Sequence, residues 1–177
     1  MTIEKRFRAA ELRAKGRRLE GYAALYGTEA RIGDDFVETI AAGAFTATLA
    51  TRSDILALVD HDPARVLART RSGTLRLSED SRGLAFDLDV PDTQAGRDVL
   101  ALAERGDLGG MSFGFKAIDE DMTGDRRELR AVELYEISVV AAFPAYADTV
   151  VQARAQIQAP INLAHAQRTL QILELMK

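Results

Sequence analysis

The sequence predicts a mainly β protein with flanking helices (α+β), built as a closed or nearly closed antiparallel β-barrel of about seven strands. Three observations predict it. Short apolar or alternating segments recur up to Val140, broken by glycine and aspartate. Turn dipeptides, Ser72-Gly73 and Arg82-Gly83, separate neighbouring segments as in a meander. Helical spacing is confined to a few stretches, so helices flank the strands rather than alternate with them.

In chain order, Arg18–Tyr26 reads as a strand ending at Gly27, and Asp35–Ile40 alternates as a half-buried strand. Ala41–Ala50 reads as a short helix, with Phe45 and Leu49 on one face. Ile55–Val59 is almost wholly apolar, as in a strand buried on both faces. His61 ends it and Asp62-Pro63 is expected to make the turn. Strands follow at Arg65–Thr70, Leu75–Leu77 and Leu84–Val90. Asp92 or Thr93 caps the clearest helix, whose apolar face holds Val99, Leu100, Leu102 and Ala103, and Gly106 stops it. A strand over Met111–Ile118, a polar tip over Asp119–Arg127 and return strands over Glu128–Val140 complete the domain, residues 1–151. Residues 152–177 differ in character. They lack glycine, are rich in alanine and glutamine, and read as a linker and an amphipathic helical tail with Leu163, Ala166, Leu170, Leu173 and Met176 at helical spacing.

Composition narrows the chemistry. With no cysteine there is no disulfide, thiolate metal site or cysteine nucleophile. Two histidines far apart make no histidine-rich metal site, and no metal or cofactor is expected. The charged start has no signal-peptide core, and no apolar run approaches the roughly 18 residues of a membrane span. Net charge is −4 and aromatic residues make up 6% of the chain, which argues against a barrel that binds nucleic acid. Residues 1–18 nevertheless carry seven bases against two acids. They form either a docking face for an acidic partner or, as charge runs usually do, a solvated edge that discourages strand pairing.

Three residues could carry chemistry. Ser112 sits in Gly-Gly-Met-Ser-Phe-Gly-Phe, residues 109–115. Alternation puts Met111, Phe113 and Phe115 on one face and Ser112, Gly114 and Lys116 on the other. Gly114 is expected to leave room beside the hydroxyl for a substrate backbone. Gly109 and Gly110 are candidates to aim N–H groups at an oxyanion. The competing reading makes Ser112 a small core residue and the glycines a turn. His61, at the mouth of an apolar strand, suits proton transfer near neutrality, or it caps a turn. Glu136 lies in a strand otherwise apolar from Leu134 to Ala142, save Ser138. A buried carboxylate needs a partner: the His61 ring, or an arginine such as Arg130 or Arg69. Glu136 and Ser138, two apart, face the same side. His165, in the tail, is a competing base better suited to a surface or packing role.

Three ordered segments then carry a family resemblance: Leu56–Asp62 followed by Val66–Arg69, the Met-Ser-Phe-Gly-Phe strand at 111–115, and Leu134–Ala145. Gly21–Tyr26 and Phe36–Phe45 add to it. Over residues 18–151 the chain resembles the tailed-bacteriophage prohead (capsid maturation) proteases, which are similar in fold to the herpesvirus assemblin proteases. The resemblance implies a serine endopeptidase with Ser112 as nucleophile and His61 as general base. The herpesvirus relatives carry a second histidine on the later strand; here Glu136 occupies that place. The oxyanion donors are not carried over. The implied partners are the major capsid protein with its scaffold segment and the protease itself, by autoproteolysis and as a possible dimer. The implied place is the bacterial host cytoplasm, within the assembling prohead. A non-catalytic capsid-assembly module on the same fold is the rival expectation.

Overall fold

A single strand, Arg126–Val140, organises the molecule. In the computed structural model, which describes residues 3–8, 12–51 and 54–141, the strands are β1 (Glu4–Arg8), β2 (Leu12–Lys15), β3 (Arg18–Leu25), β4 (Ala30–Ile32), β5 (Phe36–Ile40), β6 (Leu56–Val59), β7 (Asp62–Arg69), β8 (Leu75–Glu79), β9 (Gly83–Asp89), β10 (Gly110–Thr123) and β11 (Arg126–Val140). The helices are α1 (Thr46–Ala50) and α2 (Gln94–Arg105). The described residues all fall within one compact unit, Met1–Phe143. The linker and helical tail expected over 152–177, and His165, lie outside the described residues.

β10 runs antiparallel along one edge of β11 from Gly110–Val140 to Thr123–Arg126. The other edge takes β5 against Arg126–Leu129 and β6 against Glu136–Val139, both parallel. The expected all-antiparallel pairing is therefore replaced by a mixed sheet. The physical reason is the course of the chain, which follows this edge of β11 in one direction as β5, α1 and β6. β1 pairs with the far edge of β10, β4 with β5, and β7 with β6, giving seven strands. A second sheet, β2-β3-β9-β8, is antiparallel throughout. Among the described residues no ladder returns to its own first strand, so neither sheet closes into a barrel. The protein is mainly β with a few helices.

The sequence explains these elements. Alternating apolar residues of β9 bury Leu84, Phe86 and Leu88, and Leu19, Ala23 and Ala24 of β3 are buried as well. The polar tip shrinks to Gly124-Asp125, because β10 and β11 pair out to Thr123 and Arg126. Thr93 caps α2 by accepting the Gly96 N–H, and Gly106 ends it in the left-handed region at φ 75°. The first half of the expected 41–50 helix does not form. Gly43 takes φ +85°, and the chain there is held on β11, with Ala41 N–H donating to Leu129 and Val132 N–H to the carbonyl of Ala44. Phe45, Phe113 and Phe115 form the aromatic heart of the core, with ring centroids 5.7 and 5.1 Å apart. Each such ring contributes roughly 2–3 kcal/mol by burial.

α1 fills the gap between β5 and β6. There the backbone of β11 has no strand partner on that edge, and Thr48 supplies one. Its buried hydroxyl donates to the Val132 carbonyl at 2.6 Å and accepts the Leu134 N–H at 3.2 Å. β1 is held differently, by buried charge. Arg6 donates to both oxygens of Glu38 and to Glu4, and its guanidinium lies 5.3 Å from the Phe115 ring centre. Arg127 donates to Glu4, Glu38 and Glu120. Arg6 is thus no part of a solvated basic face; it is 6% exposed.

Two outcomes follow from these contacts. Thr48→Val keeps the shape but strands a buried donor and acceptor, so urea denaturation should show a loss of about 2–4 kcal/mol. The Arg127 hydrogen bonds hold the Glu4 carboxyl at about 2 against its usual 4.5. A depressed carboxylate stabilises the fold above its unfolded pKa and loses that contribution as pH falls through the folded one. Melting temperature should therefore fall between about pH 4.5 and 2, and Glu4→Gln should flatten that part of the curve.

Candidate active site

The turn between β6 and β7 carries His61. It is a two-residue turn, Asp60-His61, with Val59 paired to Asp62 across it. Both residues have left-handed backbone, φ 52° and 61°. Asp and His tolerate this region better than most side chains, yet it still costs about 1–2 kcal/mol per residue. The expected turn at Asp62-Pro63 is displaced, because those two residues already begin β7. β11 holds the strained turn in place. Asp60 N–H donates to the Val139 carbonyl at 3.0 Å, and Asp60 Oδ1 accepts the Ala141 N–H at 2.9 Å. His61 N–H donates to Ser138 Oγ at 3.2 Å.

Glu136 stands two residues before Ser138 on β11, facing the same side. His61 Nδ1 lies 2.6 Å from Glu136 Oε1. Ser138 Oγ donates to Glu136 Oε2 at 2.6 Å. An ionised carboxylate only accepts, so a neutral imidazole in this contact is the tautomer that carries its proton on Nδ1 and its lone pair on Nε2. No described residue hydrogen-bonds Nε2. Both carboxylate oxygens are thereby satisfied in a residue only 8% exposed. The arginines that could have taken Glu136 are engaged elsewhere, Arg130 with Asp121 and Glu128 and Arg69 with Asp54.

Ser112 lies directly across the ladder from Ser138, and Gly114 from Glu136. Opposed residues point their side chains to the same face, with Cβ atoms about 5 Å apart. Ser112 is therefore on the face that carries His61, Glu136 and Ser138. Its hydroxyl, however, donates to the Arg6 carbonyl on β1 at 2.6 Å, and the residue is 1% exposed. Among the described residues no hydrogen bond joins Ser112 to His61. A serine hydroxyl has one proton, so for Ser112 to donate to the ring its hydroxyl must turn away from the Arg6 carbonyl.

The open space expected beside Ser112 is already filled. A Cβ on Gly114 would come within 3.0 Å of Glu136 Cδ and closer still to Oε1. This glycine accommodates the carboxylate rather than a substrate backbone. Gly109 is not free to serve an oxyanion either, since its N–H donates to the Val140 carbonyl at 2.8 Å. Two groups at the site lie outside the serine, histidine and acid that the sequence singles out. Ser138 had a signal, its shared face with Glu136; the Arg6 carbonyl had none, because backbone groups are silent in sequence. Among the described residues no group of three or more acidic, histidine or cysteine side chains could hold a metal ion.

Gly114→Ala should leave the fold standing at a cost of about 1–3 kcal/mol from overpacking. It should also push Glu136 off His61. A crystal structure and a thermal melt of the variant check both; an unmoved Glu136 would refute the close-fit explanation.

Comparison with known proteins adds to this geometry. The solved structure of the bacteriophage T4 capsid assembly protease, gp21, matches with a TM-score of 0.56 at 10% identity, over 80% of this chain and 97% of that one. At that identity the likeness concerns the fold alone. No curated protein matches in sequence. The family described as Caudovirus prohead serine protease matches residues 4–162, nearly the whole chain. With a mainly β fold of that kind and a Ser-bearing strand beside a His–Glu pair, the chain belongs to the caudovirus prohead serine proteases.

Proposed function

We propose that Ser112, His61 and Glu136 are the nucleophile, general base and orienting acid of this serine protease. Its proposed substrates are the scaffold segment of the major capsid protein and the chain itself, cut within the assembling prohead in the host cytoplasm. One observation carries the assignment of roles: the 2.6 Å contact of His61 Nδ1 with Glu136, a residue that shares its sheet face with Ser112, which leaves Nε2 as the nitrogen available to act as base.

The reaction follows from those positions. Ser112 Oγ, once released from Arg6, attacks a peptide carbonyl carbon while His61 Nε2 takes its proton. The tetrahedral adduct collapses as the imidazolium protonates the leaving amine, and the C–N bond breaks. A water molecule, deprotonated by His61, then attacks the acyl ester; the second tetrahedral adduct collapses with cleavage of the ester C–O bond as the imidazolium returns its proton to Ser112 Oγ, releasing the carboxylic acid. In this mechanism the proton remains on the imidazole and is not passed to Glu136. Glu136 holds the Nδ1 tautomer and offsets the positive charge on the ring while the proton is there. The tail, residues 152–177, is proposed either to recruit the enzyme into the shell or to be a segment it removes from itself.

Co-expression with the cognate capsid protein tests this reading. Ser112→Ala and His61→Ala should each lower cleavage by about 10⁶-fold, and Glu136→Gln by roughly 10⁴-fold, since an orienting residue contributes less than the base. Mass spectrometry of the wild-type and Ser112→Ala chains from the same cells reads self-cleavage. Wild-type processing by Ser112→Ala would refute the nucleophile assignment. Undiminished activity of Glu136→Gln would remove the acid from the mechanism.

A further inference from the structure

We infer that Ser138 is a positioning residue of the reaction, fixing both the carboxylate of Glu136 and the backbone of His61. This rests on the reading of His61 as base and Glu136 as its partner. Ser138 is fully buried, at 0% exposure, near the C-terminal end of β11 with β10 on one side and β6 on the other. Its single hydroxyl donates to Glu136 Oε2 at 2.6 Å and accepts the His61 N–H at 3.2 Å. With the His61–Glu136 contact these bonds close a ring: His61 amide, Ser138 hydroxyl, Glu136 carboxylate, His61 imidazole. Among the described residues, only the Ser138 side chain hydrogen-bonds to both members of the pair.

The ring answers two weaknesses of the site. A glutamate has three rotatable bonds, and one hydrogen bond to His61 leaves its carboxylate free to pivot. Tying Oε2 to the same strand two residues away fixes the plane of the carboxylate and hence the direction of Oε1. His61, meanwhile, sits in left-handed backbone that most residues avoid, so its N–H needs an acceptor to hold the turn. A hydroxyl, which donates and accepts at once, is the smallest side chain that does both. Alanine would leave Oε2 and the His61 N–H without partners where no other described side chain reaches them. A serine that only filled space would not need both bonds.

The test uses the full chain, a fluorophosphonate as the serine-directed probe, and Ser138→Ala and Ser138→Thr. Inactivation kinetics separate the maximal rate of phosphonylation from the affinity for the probe. Ser138→Ala should lower the maximal rate about 10–100-fold, the worth of one hydrogen bond to a charged group, with probe affinity unchanged. In chain labelled with ¹⁵N-histidine, the low-field Nδ1–H proton of His61 should shift or broaden in Ser138→Ala. Ser138→Thr, which keeps the hydroxyl, should restore rate and resonance. Wild-type rate in Ser138→Ala, or a loss no larger than its loss of folded protein, would overturn the inference while leaving the nucleophile assignment intact. A wild-type chain that never reacts with the probe would overturn the nucleophile assignment, and the positioning role with it.

Discussion

Nearly everything in this protein depends on β11 having both edges occupied. β10 covers one edge for its whole length, and β5, α1 and β6 share the other. A strand so enclosed has its backbone satisfied and its side chains fixed to two faces with little freedom. One face meets Phe113 and other core residues. The other carries Glu136 and Ser138 against Gly114 and Ser112. The turn that bears His61 is in turn fastened to the end of the same strand. The polar site is thus assembled on the most constrained element of the fold, where small displacements are least tolerated.

Buried charge appears twice, with different consequences. Arg6, Glu38 and Arg127 form a cluster that anchors β1, and each member has more than one partner. Such a cluster adds little net stability over apolar packing, but breaking it is costly, so it specifies where β1 lies. That placement puts the Arg6 carbonyl on Ser112 Oγ. Glu136 is a lone carboxylate whose partners are a histidine and a serine. Those are weaker counterparts than an arginine. They leave a pair whose imidazole can gain and lose a proton, which a guanidinium cannot do. The first cluster shapes the edge beside the site; the second joins His61 to Glu136 within it.

Much of this was legible in the sequence. Alternation marked β5 and β9, Gly27 bounded the strand read at β3, an apolar run marked β6, and Thr93 and Gly106 bounded α2. These features come from local rules: side-chain period, caps and turn residues. Errors arose where the governing contact was distant. The 41–50 helix lost its first half because β11 drew that backbone into its own pairing. The turn moved back to Asp60-His61, since contacts with Val139, Ser138 and Ala141 hold a left-handed backbone that local preference alone would not select. Parallel pairing of β5 and β6 was invisible because no local pattern states which strand lies beside which.

By itself the sequence determined that a serine, a histidine and a buried acid lie on or beside strands, in an order that resembles the prohead proteases. It did so because residue type and alternation are properties of the chain one or two residues at a time. Only the tertiary structure decided their contacts. The His61 ring meets Glu136 rather than an arginine, Gly114 is bare because Glu136 fills its space, and the Ser112 hydroxyl turns to Arg6. Each of those facts is a contact between segments more than 20 residues apart, fixed by strand register. Register is set by the packing of the whole sheet and not by any segment alone.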